Sequence, residues 1–236
     1  MDKDAPQIEF PLNIRSLQQK FLECLIQGNE SQAIIIISNL LYSTVSKERI
    51  LLDIILPTLN ILNDMYNRGK INESEKILIS TSAIDLVLMT KFVSTLDTPK
   101  LKASSIIVSG SEEANYFARI ASVILHLMGW NSLYLGNVEN KIDPFFDIDI
   151  QRLVTSKLKG MNGLSVVMIF SFNANTLKFL SNTFKVLRKK VENNLRIAIF
   201  TNSDLLQESQ DMDVDYCSTD LRALIDWAKE EYRTSS

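Results

Sequence analysis

The chain has 236 residues, 46% of them hydrophobic and 22% charged, with a formal net charge of −3; this is the balance of an ordinary globular protein that buries a core without covalent staples. Two cysteines, Cys24 and Cys217, exclude a disulfide framework and a cysteine-based zinc site, and a reducing compartment, the cytoplasm, is expected. The densest basic run is only Arg188-Lys189-Lys190, so direct nucleic-acid binding, which neutralises many backbone charges at once, is not expected.

The opening MDKDAPQIEF is acidic and lacks an apolar segment, so no secretory signal is expected. Near-apolar stretches such as 33–37 and 51–56 are too short to cross a membrane. Residues 1–95 carry helical periodicity alone. Leu17, Phe21, Leu22 and Leu25 recur at helical spacing before Gly28-Asn29 interrupts them. Ala33, Ile36, Ile37, Leu40 and Leu41 mark a second helix, with Asn29 and Gln32 as its capping pair. Its four consecutive isoleucines favour strand by propensity, which competes with the helical reading. Ser46 caps a third helix reaching about residue 67, and Pro57 predicts a kink in it because proline has no N–H for the preceding turn. Gly69 ends that helix, and Asn72 with Glu75 opens a fourth, reaching about residue 93. Four or five amphipathic helices joined by short turns make a bundle.

Residues 96–102, with Asp97, Pro99 and two lysines, read as a linker. The pattern then changes. Strands are expected at 105–109, 132–135, 165–170, 196–200 and 214–216, with helices at 112–128, 150–159, 174–191 and 219–232. This alternation predicts an α/β domain over 103–236, a flavodoxin-like parallel five-stranded sheet with helices on both faces, behind the N-terminal helical bundle. Ligands of such sheets sit at the carboxyl ends of the strands. The loops beginning at Gly110, Gly136, Ser171 and Thr201 are therefore the ones to inspect.

Three stretches carry a family resemblance over nearly the whole chain. Met65-Tyr66-Asn67-Arg68-Gly69-Lys70-Ile71, with Glu75 beyond it, is similar to a Leu-Trp-x-x-Gly-x-Ile stretch. Met128-Gly129-Trp130 followed by Tyr134-Leu135-Gly136 is similar to Ala-Gly-Trp-x-Val-x-x-Leu-Gly. Val214-Asp215-Tyr216 with Asp220 and Ala223 is similar to an Ala-Asp-x-x-x-x-Asp-x-x-x-Ala ending. Together, in this order and spacing, they resemble the cobalamin-binding superfamily, which includes methionine synthase, corrinoid methyl carriers and light-sensing cobalamin repressors.

The resemblance implies a signature Asp-x-His-x-x-Gly after the first strand, whose histidine ligates cobalt and whose aspartate orients it. Counting back from Gly129-Trp130 puts Glu112 at the aspartate, Ala114 at the histidine and Phe117 at the glycine; a one-residue slip puts Asn115 at the histidine and Ala118 at the glycine. Neither register supplies an imidazole, and an asparagine amide is a poor ligand for a soft late metal. The family's Ser-x-Leu after the third strand reads Ser171-Phe172-Asn173, and where its Gly-Gly follows the fourth, Phe200-Thr201-Asn202 stands instead. The family glycines leave room for the cofactor's nucleotide tail, and here bulk replaces them. The repressors' Trp and Glu-His in the bundle correspond to Tyr66, Lys76 and Ile77.

These departures give the expectation of a fold that has lost standard cobalamin binding and takes no cofactor. The candidate ligand pocket is Tyr66, Glu112, Asn115, Phe117, Ser171, Asn173, Thr201 and Asn202; the candidate contact surface is Phe145 and Phe146. Tyr66 reads equally as a half-buried core aromatic, and Glu112 and Glu113 as first-turn acids complementing a helix dipole. The asparagines with Ser171 form a polar rim fit for a small polar ligand. Asp143, Asp147 and Asp149 lack the glycine and terminal glutamate of a calcium loop and read as solvated. Cys217 at a strand end is a free-thiol candidate.

His126 is the only histidine. A haem reading would rest on it, but it falls near the end of a helix that starts at the pocket, well over ~15 Å away by helix rise. No catalytic constellation is present, and an enzyme is not expected. The expected function is a regulatory or sensor protein for signal transduction, including transcription regulation, acting through a protein partner or self-association, with a small-molecule ligand left open. The alternatives are a corrinoid methyl carrier with atypical axial ligation and a haem or other tetrapyrrole sensor.

Overall fold

The computed structural model describes residues 13–94, 101–141, 143–158, 163–191 and 195–235. The chain divides into two compact units, Met1–Leu86 and Val87–Ser236. The expected linker at 96–102 lies for the most part outside the described residues.

The first unit is helical. Helix α1 (Ile14–Ile26) buries Phe21 and Leu25, and α2 (Glu30–Leu41) buries Ala33, Ile37, Leu40 and Leu41. The isoleucine run is therefore helical: only part of it reaches the core, and Ile34 and Ile35 stay exposed. Asn29 does cap α2, its Oδ1 accepting from the Gln32 N–H. The third helix is not simply kinked. It consists of α3 (Lys47–Ile50), a π-helical turn (Leu51–Ile55) and α4 (Leu56–Asn67). The Leu56 N–H donates to the Leu51 carbonyl, five residues back. Widening the turn just before Pro57 accommodates a residue with no N–H and a ring that crowds the preceding turn. Leu51, Leu52, Ile54, Ile55, Leu59 and Leu62 stay buried through it.

Gly69, at φ +66, supplies the left-handed step that ends α4. Helix α5 (Glu73–Ser94) opens with a reciprocal box: Asn72 N–H donates to Glu75 Oε2 at 2.8 Å, and Glu75 N–H to Asn72 Oδ1 at 2.9 Å. Asn72→Ala is expected to cost the bundle about 1 kcal/mol, read as a lower urea midpoint by circular dichroism.

The second unit is a five-stranded, all-parallel sheet in the order β2-β1-β3-β4-β5, as the alternation of strands and helices requires. The strands are β1 (Ala103–Ser109), β2 (Asn131–Asn137), β3 (Leu164–Phe170), β4 (Leu195–Phe200) and β5 (Tyr216–Ser218). β1 and β3 are buried along their whole length, which is why they read as β-branched runs rather than alternating ones. The helices are α6 (Glu112–Leu127), α7 (Pro144–Leu158), α8 (Ala174–Lys190), α9 (Ser203–Gln210) and α10 (Leu221–Ser235). On one face Ile106, Val108, Val167, Ile169, Ile197 and Ile199 form a core with α7 and α8. Ile107, Met168, Phe170, Ala198 and Phe200 alternate with them along the strands and are buried on the opposite face, that of α6 and α10.

Several sequence expectations shift, the largest at α7, which starts at Pro144 rather than at 150. β5 starts at Tyr216, so Val214 and Asp215 precede it, and α10 starts at Leu221 rather than at 219. Helix α9 was not expected at all. Its N-cap is Asn202, whose Oδ1 accepts from the Leu205 N–H at 3.1 Å.

Candidate functional site

The carboxyl ends of β1, β3 and β4 bring Glu112, Phe117, Ser171, Asn173, Thr201 and Asn202 to one edge of the sheet. Their polar groups are engaged with one another and with the backbone. The Ser171 hydroxyl accepts from the Asn173 N–H and donates to the Asn173 carbonyl, both at 3.1 Å. Asn173 Oδ1 caps α8 through the N–H groups of Asn175 and Thr176, and its Nδ2 donates to Glu139. The buried Thr201 hydroxyl donates to the Ser171 carbonyl at 2.8 Å. Asn202 caps α9. The residues of the polar rim thus also link the loops after β2, β3 and β4.

Glu112 belongs to the same network. Its carboxylate accepts from Asn137 Nδ2 at 2.6 Å, while its N–H donates to Glu139 Oε2 at 2.9 Å. Glu139 lies in the loop that begins at Gly136, just past the motif there, and is not itself part of that motif. Asn115 accepts from the Tyr134 hydroxyl, and Arg119 lies over the Tyr134 ring at 5.4 Å. Burial pushes the Tyr134 phenol up from its ordinary value, against the opposing pull of Arg119.

Aromatic rings fill the space between these loops. Phe117, from α6, lies 4.7 Å from Phe200 and 5.9 Å from Phe172, centroid to centroid. Phe200 also meets Phe170 at 5.2 Å and Phe172 at 6.0 Å. These are contact distances for tilted and edge-on rings. Phe117 is 9% exposed and Phe200 2%. Gly110 ends β1 where a Cβ would stand 2.6 Å from Thr176 Cγ2, so the glycine is needed for α8 to pack against that loop.

The remaining candidates lie elsewhere. Tyr66 belongs to the first unit, where the Lys76 ammonium covers its ring at 4.5 Å from the centroid. Phe145 and Phe146 part company: Phe145 is 80% exposed, alongside exposed Ile148 and Leu153 on α7, whereas Phe146 packs against the core of the sheet. Phe146 is thus partly buried, unlike its neighbour. Asp143 Oδ1 caps α7 through the Phe146 N–H at 2.8 Å. Among the described residues no three His, Cys, Asp or Glu side chains gather as a metal site. His126 stands in the last turn of α6, about 20 Å along the helix from Glu112 by helix rise. Burial pushes the Cys217 thiol up to about 11, so it stays protonated at neutral pH. No helix of the described residues is long and apolar enough to cross a membrane.

Residues 17–84 match the family model described as B12 binding domain. No curated protein matches the chain by sequence. Among solved structures, the Methanosarcina barkeri monomethylamine corrinoid protein has 11% identity and a TM-score of 0.66, covering 92% of this chain and 98% of its own. The methanol:cobalamin methyltransferase complex MtaBC from Methanosarcina barkeri has 12% identity and a TM-score of 0.43, over 96% of this chain and 83% of that one. A novel cobalamin-binding protein from Desulfitobacterium hafniense DCB-2 has 12% identity and a TM-score of 0.44, over 93% and 98%.

The match over residues 17–84 corrects the expectation that the chain takes no cofactor, or haem in place of a corrinoid: that stretch is characteristic of a family described by B12 binding. The sheet does not fit the histidine-ligated arrangement that the resemblance implied. Ala114 is fully buried and has no donor atom, and Asn115 is engaged with Tyr134. Where the family glycines leave room, Phe117 and Thr201 stand buried.

Proposed function

The chain has the fold of the cobalamin-binding domain superfamily, with residues 17–84 matching its B12 binding domain, and from that premise we propose that it binds a corrinoid without giving cobalt a side-chain ligand. The family match over the bundle carries this reading. The buried, donorless Ala114 sets its form. In a metal site the ligand and its hydrogen-bonded partner tune the metal; with neither supplied by α6, the chain leaves cobalt's reactivity to the corrinoid's own ligands. That favours a sensor or delivery role over a methyl carrier. In this reading the chain is not itself an enzyme, and its output passes to another protein.

Incubation with hydroxocobalamin followed by desalting tests the proposal. Bound corrinoid is expected, with an absorbance spectrum close to that of the free cofactor and unchanged in His126→Ala. A colourless protein after desalting would refute corrinoid binding. A spectrum altered by histidine ligation and lost in His126→Ala would refute the ligand-free form.

A further inference from the structure

We infer that the sheet domain takes no part in recognising the cofactor's nucleotide, so the ligand class is the corrin macrocycle itself, with its nucleotide folded back on cobalt or absent altogether. This rests on the proposal that the chain binds a corrinoid, and it concerns what the buried aromatic cluster does to that binding.

A planar base threaded into the sheet needs van der Waals contact on both faces. Carbon atoms approach to about 3.5 Å, so flanking side chains must stand roughly 7 Å apart. Phe117 and Phe200 stand 4.7 Å apart, and Phe172 closes over both at 5.9 and 6.0 Å. No base fits between rings already in contact. Opening the gap would mean lifting Phe117 off Phe200, which is itself locked against Phe170 at 5.2 Å. All of these rings except Phe172 are buried, so the displacement would expose apolar surface and break native packing. The hydroxyls that could hold a tail are also committed: Ser171 is closed in its own turn, and Thr201 is bonded to the Ser171 carbonyl. A tail entering here would have to compete for both hydroxyl protons.

A nucleotide that contributes no contacts contributes no affinity. Hydroxocobalamin and aquacyanocobinamide, which lacks the nucleotide, are therefore expected to bind the full chain with Kd values within about threefold of each other. Quenching of Trp130 and Trp227 fluorescence, or calorimetry, reads both. Bound cobalamin keeps the spectrum of the form in which its own base ligates cobalt. Cobalamin binding 30-fold or more tighter than the cobinamide, with the base displaced from cobalt, would overturn the inference and leave corrinoid binding standing. If neither compound binds, the proposed function falls and this inference with it. Phe117→Leu provides a check within the fold: it leaves an apolar plug, and the affinity ratio is expected to stay where it is, whereas a ratio rising tenfold would show that a channel lies behind that ring.

Discussion

Replacing Phe200 by alanine is expected to lower the unfolding free energy of the sheet unit by about 3–5 kcal/mol, the range for deleting a buried phenyl ring. Phe200 belongs at the upper end. It is 2% exposed, touches three other rings at 4.7 to 6.0 Å, and lies at the end of a strand paired on both sides. Its removal leaves a void walled by Phe117, Phe170 and Phe172, which are held by three different elements and cannot all collapse into it. Both tryptophans, Trp130 and Trp227, lie in the second unit, so urea unfolding followed by tryptophan fluorescence reports that unit selectively. The midpoint should fall markedly. Phe145→Ala, at a residue 80% exposed, is the control and should change stability by no more than about 0.5 kcal/mol. Equal effects at the two positions would mean that the rings do not pack as described.

The second large effect is expected at Asp215. Just before β5, its backbone N–H donates to the Ile197 carbonyl at 2.8 Å, and its Oδ2 accepts from the Ile197 N–H at 2.7 Å. The same oxygen pairs with Arg188 on α8, while Oδ1 lies 3.7 Å from Arg196, which is bonded to Glu231 on α10 at 3.0 Å. One carboxylate thus satisfies a buried strand and ties both faces of the sheet to it. Asp215→Ala leaves the Ile197 N–H without its acceptor and costs about 2–3 kcal/mol, the scale of hydrogen bonds to a charged group. The side chains of Arg188 and Asp215 are 27% and 23% exposed, so solvent screens the ionic part. Asp215→Asn, which keeps an acceptor, should cost only about 1 kcal/mol. The same fluorescence titration separates them, and an asparagine as damaging as alanine would assign the role to charge instead of to the backbone bond.

Much of the fold is legible because local and global signals agree. The box at Asn72 and Glu75 is spelled out in sequence and forms as spelled. β3 and β4 read as apolar runs because helices cover both faces of the sheet. Helix α9 was missed because its eight residues bury only Ser209; a helix so short, held by its cap and by the neighbouring β5, carries almost no periodic signal. β5 starts two residues later than its sequence suggests, because Val214 has strand propensity while Asp215 acts through its side chain. The π-helical turn was invisible because Pro57 predicts only that the preceding turn is disturbed, not how it is resolved.

The candidate site was legible in part. Phe117 comes from α6, Phe172 from the loop after β3 and Phe200 from the end of β4, and only a parallel sheet brings them together, so their contact could be foreseen only through the topology. The expectation about the cofactor failed for a different reason. It took the loss of individual ligand residues as the loss of the ligand. The family match lies over residues 17–84, in the helical unit, whereas the residues after β1, β3 and β4 lie outside it.

The Glu139 carboxylate seated on the first N–H of α6 has an electrostatic consequence. A helix start usually attracts negative ligands through its uncapped N–H groups and its dipole. Here Glu139 already occupies that end, and Glu112 and Glu113 stand in the first turn beside it. The molecule has spent its own acids on the one place in this loop where a free anion would settle, and an anionic molecule arriving there meets repulsion instead of welcome.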